Sequence, residues 1–199
     1  MDTIEYQPIS EEEYQRLEAR SPVRHEYVKG EMFAMTGGTL QHNTIAGNVF
    51  AVLRSHLRGT PCHVFINDVR LRVDKAHAYY YPDLLVTCAR GGTQLEMKAM
   101  QVDDALLVIE VLSTGTEATD RREKLIAYRM LPGLFEYVLI SQDEARVEIH
   151  RRSGDIGWER IEYSGLETIH LGSIDLDIGM REIYEGVQMD AAMGGPGPA

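Results

Sequence analysis

The stretch that decides the fold begins at Tyr79-Tyr-Tyr-Pro-Asp83, continues through Ala105-Leu-Leu-Val-Ile-Glu-Val111 and ends in Asp120-Arg-Arg-Glu-Lys124. The middle phrase is apolar except for Glu110, which predicts a strand at the centre of a sheet, buried on both faces. The first phrase begins a neighbouring strand, expected over residues 80–87, and the last predicts the beginning of a helix. Two strands and the helix behind them therefore bring two carboxylates and one lysine toward one place.

The rest of the chain predicts a scaffold for this stretch. The alternation of strands, helices and β-hairpins is typical of an α/β (α+β) fold. No linker divides the chain, so we expect a single domain over residues 1–190 and a disordered tail over 191–199. The other elements are a helix capped by Ser10, a hairpin over 25–35 that turns at Lys29-Gly30, a helix over 40–57, and strands over 69–73, 135–140, 146–150 and 158–163.

The composition is that of an ordinary globular protein. Of the 199 residues, 44% are apolar and 26% are charged, and no apolar run approaches the roughly 20 residues that span a bilayer. The first residues are acidic and lack the pattern of a secretory signal, so we expect a cytoplasmic protein with no membrane partner. In that compartment, Cys62 and Cys88 are expected to be two buried thiols rather than a disulfide.

The net charge of −11 restricts the partners. Proteins that hold nucleic acid by neutralising phosphates usually carry a basic surface. The charge argues against tight, unassisted binding to bulk DNA, although a local basic cleft and divalent metal ions can offset it. Arg70 and Arg72 alternate with apolar residues, so we expect an exposed face there that helps to hold a phosphate backbone.

Asp83 and Glu110 are the candidate metal ligands. An unpaired glutamate is costly to bury, so Glu110 requires a cation, a metal ion or a proton. Asp83 follows Pro82, which places it at an irregular or edge position of its strand. Two such carboxylates suit Mg²⁺ or Mn²⁺, which polarises a phosphate and lowers the pKa of a bound water. The alternative is that both acids lie at strand ends and face water.

Lys124 is the candidate catalytic cation. If Asp120 caps the helix, Lys124 lies in the first turn, and with Arg121 and Arg122 it makes the helix start attractive to anions. Lys124 shares a face with Tyr128, and this face is expected to pack against the sheet. There the amine can orient an attacking water and stabilise the charge that develops in the transition state. The alternative is a lysine whose head reaches the surface.

Two further residues are weaker candidates. Glu26 can add a carboxylate to the metal site or form a plain cross-strand charge pair. His42, near the beginning of the second long helix, can contact a phosphate or cap the helix, and capping is favoured. The sequence contains no phosphate-binding glycine loop, nucleophile elbow or HExxH motif.

These phrases resemble a known family. Pro82-Asp83, Ile109-Glu110-Val111 and a displaced Lys124 resemble the PD-(D/E)XK nuclease superfamily and, more closely, the Uma-two family of restriction-endonuclease-like proteins. The resemblance implies a restriction-endonuclease-like fold, which is a mixed β-sheet flanked by helices, here with extra β-hairpins. It also implies that the metal-binding acids are Asp83 and Glu110 and that the catalytic lysine is Lys124. It covers residues 10–185 through His25-Glu-Tyr-Val-Lys-Gly-Glu31, Asp68-Val-Arg-Leu-Arg-Val73, Tyr80-Tyr-Pro-Asp83, Val108-Ile-Glu-Val-Leu-Ser-Thr114, Asp120-Arg-Arg-Glu-Lys-Leu-Ile-Ala-Tyr128 and Glu136-Tyr-Val-Leu-Ile140.

One position departs from the superfamily pattern. The usual lysine lies two residues after the acid, where this chain has Leu112, so Lys124 takes that role only if the helix returns its amine to the carboxylates. The resemblance implies a Mg²⁺- or Mn²⁺-dependent DNA endonuclease, and a homodimer is expected because two sites about a twofold axis can cut both strands. Two alternatives stay open: a catalytically inactive interaction module that keeps the fold, and a metal-dependent hydrolase of RNA or a small phosphoester.

Overall fold

The computed structural model describes residues 7–89, 95–154 and 157–188, which form three sheets and the helices packed on them. This mixed α/β arrangement, with its additional hairpins, confirms the expected fold class. The helices are α1 (Glu11–Glu18), α2 (Leu40–His56), α3 (Glu117–Thr119), a π-helical segment (Asp120–Lys124), α4 (Leu125–Tyr128) and α5 (Met180–Ile183), with a 3₁₀ turn over Asp74–Ala76. The strands are β1 (His25–Val28), β2 (Glu31–Ala34), β3 (Cys62–Ile66), β4 (Arg70–Val73), β5 (Ala78–Tyr80), β6 (Leu84–Cys88), β7 (Gln101–Val102), β8 (Leu107–Leu112), β9 (Glu136–Ser141), β10 (Arg146–Ser153), β11 (Gly157–Ser164), β12 (Thr168–Leu171) and β13 (Leu176–Gly179).

The apolar phrase around Glu110 forms the centre of a six-stranded sheet, as predicted. Its strand order is β11-β10-β9-β8-β6-β3, with β8 antiparallel to β6 and parallel to β9. Every residue of β8 and of β9 is buried. Glu110 itself is only 3% exposed, which excludes the alternative in which it ends the strand in water.

Two hydrophobic cores lie on opposite faces of this sheet. Ile109 belongs to the core that includes α2, whereas Val108 belongs to the core that includes residues 125–128 and a second, five-stranded sheet. The order of that second sheet is β2-β1-β5-β4-β7. Since alternate residues of a strand point to opposite faces, Glu110 shares the face of Val108. Its side chain therefore points between the two sheets.

The predicted hairpin is formed by β1 and β2, which pair in antiparallel fashion. Lys29 and Gly30 at the turn have positive φ angles of 49° and 99°, as a two-residue turn of type I′ requires. β1 also pairs with β5, whereas β2 is the edge strand of the five-stranded sheet. The hairpin thereby places Glu26 beside the Tyr79–Asp83 segment.

The basic face expected to be exposed at Arg70 and Arg72 is half-buried. Leu71 between them is buried, as the alternation predicts, but α1 packs against the opposite face. The two guanidinium groups lie 5.2 and 5.7 Å from the centre of the Tyr79 ring, and Arg72 pairs with Glu11 of α1 at 3.3 Å. Both arginines therefore contact the groups that hold α1 on the sheet, and their contact with a phosphate backbone stays a prediction.

Cys62 and Cys88 form a disulfide, so the expectation of two separate thiols is wrong. The two residues are directly opposed where β3 pairs with β6, and their Cα atoms are 3.9 Å apart. Their meeting depends on this long-range strand register, which their spacing in the sequence does not determine.

Three expectations are not tested by these elements. No helix within the described ranges is long and apolar enough to cross a membrane, and the cytoplasmic location stays a prediction. The domain limits of 1–190 also stay a prediction, and the tail over 191–199 lies outside the described residues.

Reduction of the disulfide is expected to lower the free energy of unfolding by about 2–4 kcal/mol, because the bond restricts the unfolded chain. It links residues that are 26 positions apart. Urea unfolding with and without dithiothreitol measures the change. The double variant Cys62→Ser/Cys88→Ser is the control, since reductant has no bond to break in it. A wild-type unfolding curve that does not respond to reductant would mean that the thiols are separate in solution.

Candidate active site

Asp83 and Glu110 face each other across two adjacent strands. Leu84 pairs with Ile109 in the antiparallel register of β6 and β8, so the next pair outward is Asp83 and Glu110. Directly opposed residues point to the same face of a sheet. The Asp83 backbone N–H donates to Glu110 Oε2 at 3.3 Å, and the Val111 N–H donates to Asp83 Oδ2 at 2.7 Å. The backbone of each strand thus holds the carboxylate that the other strand supplies.

Pro82 lies where the chain passes from one sheet to the other. β5 ends at Tyr80 in the five-stranded sheet, and β6 begins at Leu84 in the six-stranded sheet. The single strand predicted over residues 80–87 is therefore two strands in different sheets. Because proline has no N–H to donate to a strand ladder, it suits this break. The break leaves Asp83 just ahead of β6, with its carboxylate directed at the end of β8.

Lys124 lies on a helix that begins earlier than predicted. The helix starts with Glu117, and the turn over Asp120–Lys124 is π-helical, so the prediction that Asp120 caps the helix is wrong. A π turn is a wide turn closed by i→i+5 hydrogen bonds, and such turns are frequent at functional sites. Asp120 and Lys124 are only 1% and 6% exposed, so both side chains point inward.

Contacts outside the π turn hold it in place. The Tyr137 hydroxyl donates to the backbone carbonyl of Asp120 at 3.1 Å. The Arg121 guanidinium binds Glu117 at 2.7 Å and Glu148 of β10 at 2.8 Å. Arg121 is therefore paired with carboxylates, contrary to the prediction that it helps the helix start to attract anions.

The Lys124 amine lies among three carboxylates. Its Nζ donates a hydrogen bond to Glu110 Oε1 at 3.2 Å, and it lies 3.0 Å from Glu26 Oε1 and 3.1 Å from Asp120 Oδ1. The contact with Asp120 is an ion pair without a hydrogen bond, and this buried oxygen has no hydrogen-bond partner among the described residues. The enclosed amine excludes the alternative of a lysine that reaches the surface.

Burial and charge shift the pKa values of this cluster together. Burial raises the pKa of Glu110 well above its ordinary value; Lys124 opposes the rise, and the carboxylates of Asp120 and Asp83 add to it. Burial alone would lower the pKa of Lys124, but the negative charges of Glu110, Glu26 and Asp120 outweigh it and raise that pKa well above its ordinary value. One positive charge does not balance these carboxylates, so the site favours a proton on Glu110 or a bound cation.

Tyrosines from two elements surround the acids. The buried Tyr128 hydroxyl donates to Glu110 Oε1 at 3.0 Å. The Tyr81 N–H donates to Glu26 Oε1 at 3.5 Å, and the Tyr81 hydroxyl donates to Glu18 of α1 at 2.9 Å. Glu26 is therefore positioned by the lysine on one side and by the Tyr79–Asp83 segment on the other.

His42 also contacts the site, and the expectation that it caps α2 is wrong. The cap is Thr39, whose hydroxyl accepts a hydrogen bond from the His42 N–H at 3.0 Å. The His42 Nε2 atom instead lies 3.1 Å from Asp83 Oδ2. The hydrogen bond to Asp83 raises the pKa of His42 against the effect of burial.

Asp120 was not assigned to the site from the sequence, although its spacing of four residues from Lys124 is the signal that places both on one face of a helix.

The donor set fits a hard divalent ion only in part. No group of three His, Cys, Asp or Glu side chains in the described ranges is arranged to hold a metal ion. Asp83 and Glu110 nevertheless offer oxygen atoms from opposed strands. Mg²⁺ is commonly held by one or two carboxylates, with waters and substrate phosphates as its remaining ligands. Asp83 and Glu110 would supply two carboxylates of such a site, and metal binding stays a prediction.

The variant Glu110→Gln is expected to gain stability relative to the wild type as the pH rises from about 5 to about 7. The raised pKa means that the folded protein keeps a proton that the unfolded chain releases above the ordinary value of 4.5. Wild-type stability therefore falls through this window, by at most about 1.4 kcal/mol per pH unit, whereas glutamine has no proton to lose. Urea unfolding at several pH values measures the difference, with Glu159→Gln on exposed β11 as the control. Parallel curves for the wild type and Glu110→Gln would contradict the raised pKa.

Comparisons with known proteins agree with this architecture. A crystal structure of "a putative nuclease belonging to DUF820" from Anabaena variabilis has a TM-score of 0.73 and 17% identity, and the match covers 89% of this chain and 98% of that one, which shows a shared fold. An uncharacterized protein of Synechocystis sp. is 32% identical over 182 residues, or 90% of this chain and 93% of that protein. A second uncharacterized Synechocystis protein is 31% identical over 153 residues, or 77% of this chain and 86% of that protein. The model of the Uma2 (Uma-two) family, described as "Putative restriction endonuclease", matches residues 11–179, and the chain therefore belongs to this family.

Proposed function

We propose that this protein is a Mg²⁺- or Mn²⁺-dependent DNA endonuclease that hydrolyses phosphodiester bonds. The observation that carries the proposal is the meeting of Glu26, Glu110 and Lys124 at one buried point, with Asp83 opposed to Glu110 on the next strand. The family's description as a restriction endonuclease supports nucleic acid as the substrate. Burying these charges is costly, which favours a functional role for them.

Asp83 and Glu110 are the residues that would hold the divalent ion. Such an ion, when bound, polarises the phosphate and lowers the pKa of a bound water. The Val111 N–H and the His42 ring both contact Asp83 Oδ2, so this carboxylate is fixed before any ligand arrives. His42 is thus a positioning residue in the proposed mechanism, because it orients Asp83, which would bind the ion, and does not bind the ion itself.

Lys124 acts in this mechanism as a donor and a positive charge, and not as a general base. Its raised pKa keeps the amine protonated, and an ammonium group has three N–H donors and no acceptor. From its position beside Glu110 it can donate to the attacking water or to a phosphate oxygen on which negative charge develops. Glu26 and Asp120 keep it charged and aimed at that point.

The negative charge of the site is a second reason why catalysis would depend on a divalent ion. Phosphates approach a cluster with more negative than positive charges, in a protein with a net charge of −11. A divalent ion held by Asp83 and Glu110 would reduce that repulsion. We therefore expect DNA binding as well as cleavage to require a divalent ion. A homodimer, which would set two such sites about a twofold axis, stays a prediction.

The variant Asp83→Asn is expected to nick supercoiled plasmid in Mg²⁺ or Mn²⁺ at least about 100-fold more slowly than the wild type. The change keeps the size of the side chain but removes one of two charged oxygen ligands. Gel quantification of supercoiled and nicked plasmid over time measures the rate, with chelator added as a blank. The matched control is Asp175→Asn, at an exposed turn residue with a φ of 51° that asparagine also adopts readily.

Equal nicking by the wild type and Asp83→Asn would contradict the catalytic assignment of Asp83.

The inactive-module alternative is favoured by the negative net charge and is tested separately by calorimetric titration with Mn²⁺. Binding that disappears in Asp83→Asn would count against an inactive module. Parallel assays with single-stranded RNA and a chromogenic phosphodiester distinguish DNA from the other phosphoester substrates.

A further inference from the structure

Phe33 lies next to Glu26 on the face of the sheet that carries the site. The register of β1 and β2 pairs Glu26 with Phe33, and directly opposed residues point to the same face, with Cβ atoms about 4.5–5.5 Å apart. The next pair, Tyr27 and Met32, points the other way and packs with Tyr14 of α1. Because Glu26 reaches Lys124, the Phe33 side of the hairpin is the side turned toward the proposed catalytic groups.

Phe33 begins a continuous exposed segment that ends beside a second site residue. All residues from 33 to 40 are exposed, and three of them carry large apolar side chains: Phe33 is 48% exposed, Met35 37% and Leu40 90%. We name these three residues the apolar lip. The segment joins β2 to α2 and ends two residues before His42, which contacts Asp83. The exposed segment therefore begins beside Glu26 and leads along the chain to the helix that carries His42.

The chemistry of the lip does not suit a phosphate backbone. Residues 33–40 read Phe-Ala-Met-Thr-Gly-Gly-Thr-Leu and contain no charged side chain. Affinity for nucleic acid usually comes from neutralised phosphates, which this acidic protein is poorly equipped to provide outside a metal site. Apolar and aromatic side chains bind instead to the flat faces of bases, and this contact does not depend on charge.

We propose that the apolar lip contacts unpaired bases next to the scissile phosphate, and that the substrate class is single-stranded or locally unpaired DNA. The inference rests on the proposed nuclease function. Phe33 stacks on a base, while Met35 and Leu40 add exposed apolar surface in the segment that follows it. In an intact duplex the base faces are covered by their neighbours, and a side chain reaches them only by unstacking a step. The pairing of Phe33 with Glu26, which reaches Lys124, favours a substrate over a second copy of the chain as the occupant.

Oligonucleotide binding tests the lip directly. Fluorescence anisotropy with a labelled single strand, and with the same strand in a duplex, is measured in Ca²⁺, with gels to verify that the DNA stays intact. The variant Phe33→Ala is expected to bind the single strand roughly 5- to 100-fold more weakly and the duplex less than about twofold more weakly. Phe33→Tyr keeps an aromatic face and retains binding. Leu166→Ala, at a residue that is 58% exposed on another part of the surface, is the matched control.

Cleavage assays separate this inference from the proposed function. With Mg²⁺, the wild type is expected to cleave single-stranded or bubble substrates faster than duplex, and Phe33→Ala is expected to lose that preference. If Phe33→Ala binds single strands like the wild type while Asp83→Asn abolishes cleavage, the nuclease stands and the lip proposal is overturned. If single-strand binding depends on Phe33 but no metal supports cleavage, the lip stands and the nuclease fails. A Phe33→Ala protein that changes only its oligomeric state would make the lip an interface between copies and would overturn the proposal.

Discussion

The ion pairs around the Lys124 amine connect three parts of the structure that also share one hydrophobic core. Glu26 comes from the five-stranded sheet, Glu110 from the six-stranded sheet and Asp120 from the helix between them, and all three reach one nitrogen atom. Carboxylates so close together would repel one another in a buried setting, and the lysine offsets that repulsion. Removing one partner of a buried ion pair commonly costs about 3–5 kcal/mol. These ion pairs therefore stabilise the fold and also hold together the groups of the proposed active site.

The same region combines several departures from local sequence rules. A charged residue sits in the central strand, a π turn interrupts the helix, and a buried oxygen of Asp120 lacks a hydrogen bond in the described structure. The turn and cap patterns of other elements agree with the fold: the hairpin turn has its Gly30, and α2 has its Thr39 cap. Local departures that occur together in a consistent scaffold are typical of functional sites.

Sequence patterns predicted the features that depend on neighbouring residues. The buried central strand with its single glutamate, the hairpin and the inward face of the helix at Lys124 all follow from periods of two or 3.6 residues. The errors concern contacts between distant segments. The Cys62–Cys88 disulfide depends on the register of two strands, and the cover over Arg70 depends on where α1 packs. The hairpin of β12 and β13 was not predicted. Glu110, Lys124 and Glu26 are candidates from their residue patterns, Asp120 is not, and the roles of all four stay predictions.

The crossing at Pro82 has a mechanical consequence. Only residues 81–83 lie between the end of β5 in one sheet and the beginning of β6 in the other, which is too short a tether to absorb displacement. If one sheet moves relative to the other, Asp83 is displaced directly, because it is the last of these connecting residues before β6. Movement of one sheet relative to the other is consequently expected to disturb the alignment of Asp83 with Glu110. A ligand that binds both Asp83 and Glu110 would therefore also restrict movement between the five-stranded and the six-stranded sheet.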